Sequence, residues 1–257
     1  MKVVILAGGR GTRLAEETAR IPKPMVEIGG RPILWHIMKI YDNFGFRDFI
    51  VACGYKGAII KDYFDRFPAI NSDWTISLAD GRRQPAHGPL PDWTVTLADT
   101  GLDTMTAGRL RRLRQWITED VFLVTYGDGV ASVNIQDLVA FHHRHGRLAT
   151  VTAVRPPARF GSLEIDGDLV SEFSEKEQSR EGWINGGFFA FCRAVLDRVP
   201  GDTSSLEYDV LSELAAEGQL AAYRHTGFWH PMDTLRDRDH LEELWASGTA
   251  PWKVWPE

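Results

Sequence analysis

Cysteine is almost missing from this sequence: Cys53 and Cys192 are the two in 257 residues. Two distant thiols, each in an apolar run, cannot staple a fold or make a cysteine-rich metal cluster. They read as core residues in a reducing compartment, so the chain is expected to be cytoplasmic. Long apolar runs are missing too, and nothing approaches the roughly 20 residues of a membrane span. The apolar start from Met1 to Ala7 is too short for a secretory leader and runs into Gly8-Gly9-Arg10. Nor is positive charge in excess. A net charge of −6 argues against nucleic acid as a partner, because such binding rests on counterion release by clustered Lys and Arg. The one basic stretch, Arg109-Leu110-Arg111-Arg112-Leu113-Arg114, reads as the solvated edge of a strand or helix. No Ser/His/Asp or Cys/His arrangement for nucleophilic catalysis stands out.

What is present begins at the amino end. Val3-Val4-Ile5-Leu6-Ala7 fits a buried strand, and Gly8, Gly9 and Gly11 let the chain turn tightly after it. Glycine-rich backbone between a strand and a helix offers N–H groups to anionic oxygens, and Arg13 and Lys23 add two formal charges. The pattern reads as a polyphosphate site. It is neither a Walker loop, which needs four residues between its glycine and Gly-Lys-Ser/Thr, nor a dinucleotide fingerprint, which wants glycine where Leu14 stands.

Strand and helix signals then alternate, which favours a mostly parallel sheet flanked by helices, of Rossmann-like α/β class. Lys2–Ala7, Phe49–Cys53, Val121–Thr125 and Leu148–Val154 read as strands. Pro32 opens a helix with Ile33, Leu34, Ile37, Ile40, Tyr41 and Phe44 at the 3.6-residue period. Ala58–Phe67 is a second helix, and Asn134 caps a third that runs to His145, with Gly146 beyond it. Asp73-Trp74-Thr75-Ile76-Ser77-Leu78-Ala79-Asp80 nearly recurs as Asp92-Trp93-Thr94-Val95-Thr96-Leu97-Ala98-Asp99. Both copies alternate as half-buried strands do, and they are expected to pair near each other. Beyond Pro156 the pattern loosens: Leu163–Ile165, Leu169–Phe173 and Gly187–Phe191 read as strands, Leu206–Glu217 and Thr234–Ser247 as helices. The chain reads as one domain over 1–257, with a nucleotide-binding part to about 155 and a small β-rich sugar-binding part after it.

The run L-A-G-G-x-G-T-R-L, followed by Pro22-Lys23-Pro24-Met25, resembles the signature of the sugar-1-phosphate nucleotidylyltransferases. Within them the chain is most similar to the branch that joins CTP to glucose 1-phosphate. Further stretches carry that likeness: Pro24-Met25-Val26-Glu27-Ile28-Gly29-Gly30, Ile33-Leu34-Trp35-His36-Ile37-Met38, Tyr126-Gly127-Asp128-Gly129-Val130 and Phe228-Trp229-His230-Pro231-Met232-Asp233-Thr234. It runs from Met1 to Trp252.

The resemblance implies CTP and α-D-glucose 1-phosphate as substrates, CDP-glucose and pyrophosphate as products, Mg²⁺ as cofactor, and a homo-oligomer. It makes Arg13 and Lys23 catalytic cations. Leu6, Ala7, Gly8, Gly9, Arg10, Gly11 and Thr12 would hold the nucleotide, together with Thr104, Gly108, Arg109, Asp128 and Gly129. Asp128 and Asp233 would hold the metal. Gly161, Glu175, Lys176, Asn185 and Gly186 would take the sugar phosphate. Ala107 stands where the family has glycine and Glu177 where it has proline, departures that bear on base preference and on the Lys176 loop.

Three other readings stay open: a thymidylyl- or uridylyltransferase or one for another hexose 1-phosphate, a silent nucleotide-sugar sensor, and a glycosyltransferase. The last commonly uses Asp-x-Asp, where this chain has Asp128-Gly129-Val130. His142, His143 and His145 share a helix but lack a completing ligand, and they read as surface residues. Trp252 and Trp255, two of nine tryptophans, sit in an irregular tail expected to dock on the body or, by preference, on a neighbouring subunit.

Overall fold

The computed structural model describes residues 1–85, 90–156, 162–166, 169–174 and 182–256. Seven strands form one sheet, in the order Leu220–Arg224, Ala149–Val154, Ile184–Cys192, Val121–Tyr126, Lys2–Ala7, Asp48–Cys53 and Thr94–Asp99. All run one way except Ile184–Cys192, which is antiparallel to both its neighbours. The expected mostly parallel α/β sheet is therefore present.

Alternation along the first strand explains the two-sided core. Val3, Ile5 and Ala7 point to one face, with Ile33, Leu34 and Ile37 of the helix Ile33–Asn43. Val4 and Leu6 point to the other, with Leu110 of the helix Thr106–Arg112 and Val210 and Leu214 beyond it. A strand buried on both faces must be apolar throughout, which is why Val3–Ala7 reads as an unbroken hydrophobic run. The polarity of the sheet decides where loops gather. Gly8, Gly54, Thr100 and Gly127 all lie just past carboxyl ends of parallel strands, and the reversed strand begins at Ile184 on that same edge.

Several expectations need correcting. The near-repeat does not pair with itself. Trp74–Ile76 joins Arg83–Pro85 in an exposed hairpin, whereas Thr94–Asp99 pairs with Asp48–Cys53 at the sheet edge. Similar alternation thus gives different burial, because Val95 and Leu97 pack on the core and Leu78 stays 90% exposed. The helix after Cys53 is longer than its period suggested, Gly57–Asn71 with Pro68 inside it. Leu206–Glu217 divides into a π-helix, Leu206–Leu211, and a short α-helix, Ser212–Ala216. Thr106–Arg112, part of the basic stretch, is a helix with Arg109 and Leu110 buried.

The tail docks on its own chain. Trp252 is fully buried and its indole N–H donates to His36 Nδ1 at 3.4 Å, while Trp255 packs edge-on against Trp35. That in-chain contact removes the apolar surface that favoured a subunit interface. His142 is not a surface residue either: its Nδ1 meets Thr150 Oγ1 at 2.9 Å beneath the sheet. Among the described residues, no helix is long and apolar enough to cross a membrane.

Desolvation lowers two of these imidazoles to about 4, His36 and His142. Below about pH 6.5 an unfolded imidazole takes up a proton that the folded one refuses until about 4. Their contribution is therefore complete above pH 6.5 and lost as the pH falls toward 4. Urea unfolding between pH 7 and 4.5 should show a loss of a few kcal/mol; a flat profile would contradict the burial of these rings.

Candidate active site

Two acids far apart in sequence meet because of a short ladder. Asp128 lies two residues past Val121–Tyr126, and Asp233 stands just before the helix Leu235–Ala246. Gly129–Ala131 pairs antiparallel with Trp229–Pro231, Gly129 opposite Pro231, and the Met232 N–H donates to the Asp128 carbonyl at 2.8 Å. The Asp233 end is fixed by a capping box in which Thr234 and Asp237 satisfy each other's backbone. Lys23, in the 3₁₀ turn Lys23–Met25, fills the gap between the acids. Its Nζ donates to Asp128 Oδ2 at 2.7 Å and to Asp233 Oδ1 at 2.6 Å, and the residue is 7% exposed.

Burial works against the Lys23 ammonium, but Asp128 and then Asp233 outweigh it and hold its pKa above the usual lysine value. Among the described residues no group of three or more His, Cys, Asp or Glu forms a metal cage. Mg²⁺ does not require one, since it keeps waters and phosphate oxygens and commonly takes only one or two carboxylates. Two carboxylate oxygens here already face a single positive charge, so the donor set fits a hard divalent cation.

On the other side of the strand Lys2–Ala7 the loop is braced by Arg109. Its guanidinium is buried and donates to Gly8 O at 3.0 Å, Gly101 O at 2.7 Å and Thr100 Oγ1 at 2.6 Å. Loops from separate strand ends are thereby tied to one planar cation. Gly8 is required by this packing, because a Cβ there would stand 2.2 Å from Arg109 Nη1. Burial lowers the Arg109 pKa from its ordinary value, yet a guanidinium stays charged at any neutral pH. Of the residues expected near the base, Leu6, Ala7, Gly8, Thr104, Gly108 and Arg109 are all buried, whereas Gly9 and Thr12 are exposed. Arg10 pairs with Asp103 at 2.8 Å across the mouth of the loop.

Between the acids and the reversed strand lies a cleft of about 230 Å³, lined by Tyr126, Asp128, Asn185, Gly186, Trp229 and Asp233 among others. Trp229 Nε1 donates to Gly186 O at 2.7 Å and closes one wall. A larger groove, about 880 Å³, lies along Phe64, Trp93 and Leu97 and is lined by none of these residues. The structure thus gathers Lys23, Asp128, Gly129 and Asp233, and sets Asn185 and Gly186 beside them. Gly161, Glu175, Lys176 and the Arg13 side chain lie outside what is described.

Sequence reasoning overlooked Tyr126 and Glu207. Glu207 accepts hydrogen bonds from Tyr126 Oη, from Thr106 Oγ1 at 2.9 Å and from Ser205 Oγ at 2.7 Å. No local pattern could have announced it, because Tyr126 and Thr106 lie far away in sequence.

The family model described as nucleotidyl transferase matches residues 2–237. A glucose-1-phosphate cytidylyltransferase of Salmonella typhi is 52% identical over 256 residues, covering 99% of this chain and all of that protein. A probable glucose-1-phosphate cytidylyltransferase of Bacillus subtilis is 43% identical with the same coverage. Among solved structures, HddC from Yersinia pseudotuberculosis superimposes with a TM-score of 0.68 at 25% identity, over 95% of this chain and 99% of that one.

The Arg109 brace yields a double-mutant test. Arg109→Ala should cost at least about 2 kcal/mol by urea unfolding, since charged hydrogen bonds and buried packing go together. Gly8→Ala should cost about 1–3 kcal/mol through overpacking. In the double variant the clash vanishes, so the losses should fall short of their sum. Full additivity would mean that the guanidinium does not stand against Gly8.

Proposed function

The chain belongs to the nucleotidyl transferase family, and from that footing we propose that it transfers the cytidylyl group of CTP to α-D-glucose 1-phosphate, giving CDP-glucose and pyrophosphate. The observation that carries this reading is the convergence of Lys23, Asp128 and Asp233 on one point beside the glycine loop. The choice of CTP and glucose 1-phosphate rests on full-length likeness to enzymes named for that reaction.

The nucleophile needs no activation by the protein. A phosphate monoester has a second pKa near 6, so the sugar phosphate oxygen is already anionic at neutral pH. A bond forms from that oxygen to the α-phosphorus of CTP, and the bond from the α-phosphorus to the bridging β-phosphate oxygen breaks. Its electron pair leaves with pyrophosphate. The absence of a serine or cysteine triad is therefore expected. What the reaction demands is positioning and charge neutralisation.

This chain's residues divide that work. The loop from Gly8 to Thr12 cradles the triphosphate, with Arg13 gripping the departing pyrophosphate. Asp128 and Asp233 would hold Mg²⁺, which family members generally use and which supplies charge neutralisation on the triphosphate when bound. With both carboxylates so engaged, Lys23 has its ammonium available for oxygens of the α-phosphate and the sugar phosphate. Lys176 would bind the sugar phosphate, and Asn185, which lines the cleft, would hold sugar hydroxyls together with Glu175. Arg109 shapes the base pocket by setting the Gly8 and Gly101 carbonyls, acceptors of the kind an amine-bearing pyrimidine requires. A homo-oligomer in the cytoplasm completes the reading.

Pyrophosphate release with glucose 1-phosphate, measured across the four nucleoside triphosphates, tests it. CTP should be used at least about 10²-fold better than UTP or dTTP, on the scale that unpaired buried groups impose. Arg13→Ala and Lys23→Ala should each lower kcat about 10²-fold or more while the fold persists. A preference for another base would replace the substrate assignment. Tight nucleotide binding without any release would make the protein a sensor.

A further inference from the structure

Tyr126, Asn185 and Glu207 form a hydrogen-bond chain whose direction is set at both ends. At one end the Gly187 N–H can only donate, and it meets Asn185 Oδ1 at 2.8 Å. The Asn185 amide must then turn its nitrogen the other way, and Nδ2 donates to Tyr126 Oη at 3.1 Å. The phenol accepts there, so its own proton goes to Glu207. At that far end a carboxylate can only accept.

Glu207 suits this terminal role. It is half-buried, no cation pairs with it among the described residues, and hydroxyls of Tyr126, Thr106 and Ser205 supply its partners. Burial raises its pKa, but the donors of Tyr126 and Ser205 outweigh burial and hold it below the ordinary glutamate value. It sits in the first turn of the π-helix Leu206–Leu211, an irregularity found often at functional sites. Backbone is fitted to the arrangement as well. Gly187 has φ +79°, and a Cβ there would stand 2.5 Å from the Tyr126 ring.

We propose that Glu207, acting through Tyr126, is the positioning residue that fixes which way the Asn185 amide faces and so which sugar hydroxyls the cleft accepts. The inference rests on the sugar-phosphate reading above. One N–H and one carbonyl lone pair of Asn185 remain for a ligand, and Asn185 lines the cleft with Asp128 and Asp233. A hydroxyl that both donates and accepts satisfies them. A sugar lacking that hydroxyl leaves both unpaired. Through Thr106 the same carboxylate also holds the first residue of the helix that carries Arg109.

The experiment compares Tyr126→Phe, Glu207→Gln and Asn185→Ala, with the Tyr126→Phe/Asn185→Ala double. Pyrophosphate release is followed with glucose 1-phosphate and with its monodeoxy analogues, and thermal midpoints are recorded. Tyr126→Phe should raise the KM for glucose 1-phosphate about tenfold, the loss of roughly one hydrogen bond. It should leave the KM for CTP unchanged, and it should erase the preference for glucose 1-phosphate over one particular deoxy analogue. The double variant should be no worse than Asn185→Ala alone. Glu207→Gln should weaken the same preference. If that variant fails to fold, Tyr126→Phe and the double variant decide the matter alone.

Equal effects on both substrates, additivity with Asn185→Ala, or an unchanged sugar KM in Tyr126→Phe would each overturn the proposal while leaving the transferase reading intact. A wild-type protein that releases no pyrophosphate with any hexose 1-phosphate would overturn that reading, and this inference with it.

Discussion

One ammonium group between two carboxylates organises the working edge of this molecule. Lys23 approaches from a turn near the amino end, Asp128 from the centre of the sheet, and Asp233 from the head of the last helix. Each sign of charge moderates the other here: the two half-buried carboxylates would repel without the ammonium, and a buried lysine without a carboxylate partner would tend to lose its proton. The contact therefore ties three segments of the chain together in the absence of any substrate. In the proposed reaction, opening that contact would free each acid for a metal and the lysine for a phosphate.

The sheet makes such a meeting possible. Parallel strands put their carboxyl ends on one edge, where loops are free of pairing and ligands of open α/β sheets collect. Reversal of Ile184–Cys192 adds something a fully parallel sheet lacks, since it brings a strand's beginning to that same edge and with it Asn185 and Gly186. The Arg109 brace and the cleft wall at Asn185 thus flank the acids on opposite sides of the Val121–Tyr126 strand. Glu207 reaches both, through Thr106 and through Tyr126.

Much of this could be read from the sequence, for a physical reason: strand ends, glycine turns and helix caps are local. The run Val3–Ala7, the Asn134 cap and the Gly146 stop all stand where residue chemistry puts them. Asp128 and Asp233 could be named, but their meeting depends on the Gly129–Ala131 ladder, a pairing of three residues on each side that leaves almost no pattern. The near-repeat shows the limit from the other direction. Asp73–Asp80 and Asp92–Asp99 carry nearly the same alternation, and only tertiary context decides that the second completes the sheet while the first projects into solvent. Trp252, His142 and Glu207 were illegible in the same way, because each is defined by a partner from outside its own segment.

On the proposed reading Asp128 and Asp233 face a single cation position, which Lys23 takes when no metal is bound. Electron paramagnetic resonance of a Mn²⁺ titration on nucleotide-free protein tests it most directly. The account predicts one bound ion per chain in the wild type, and loss of that ion in Asp128→Asn and in Asp233→Asn alike. Retention of the ion at unchanged affinity in either single variant would contradict it.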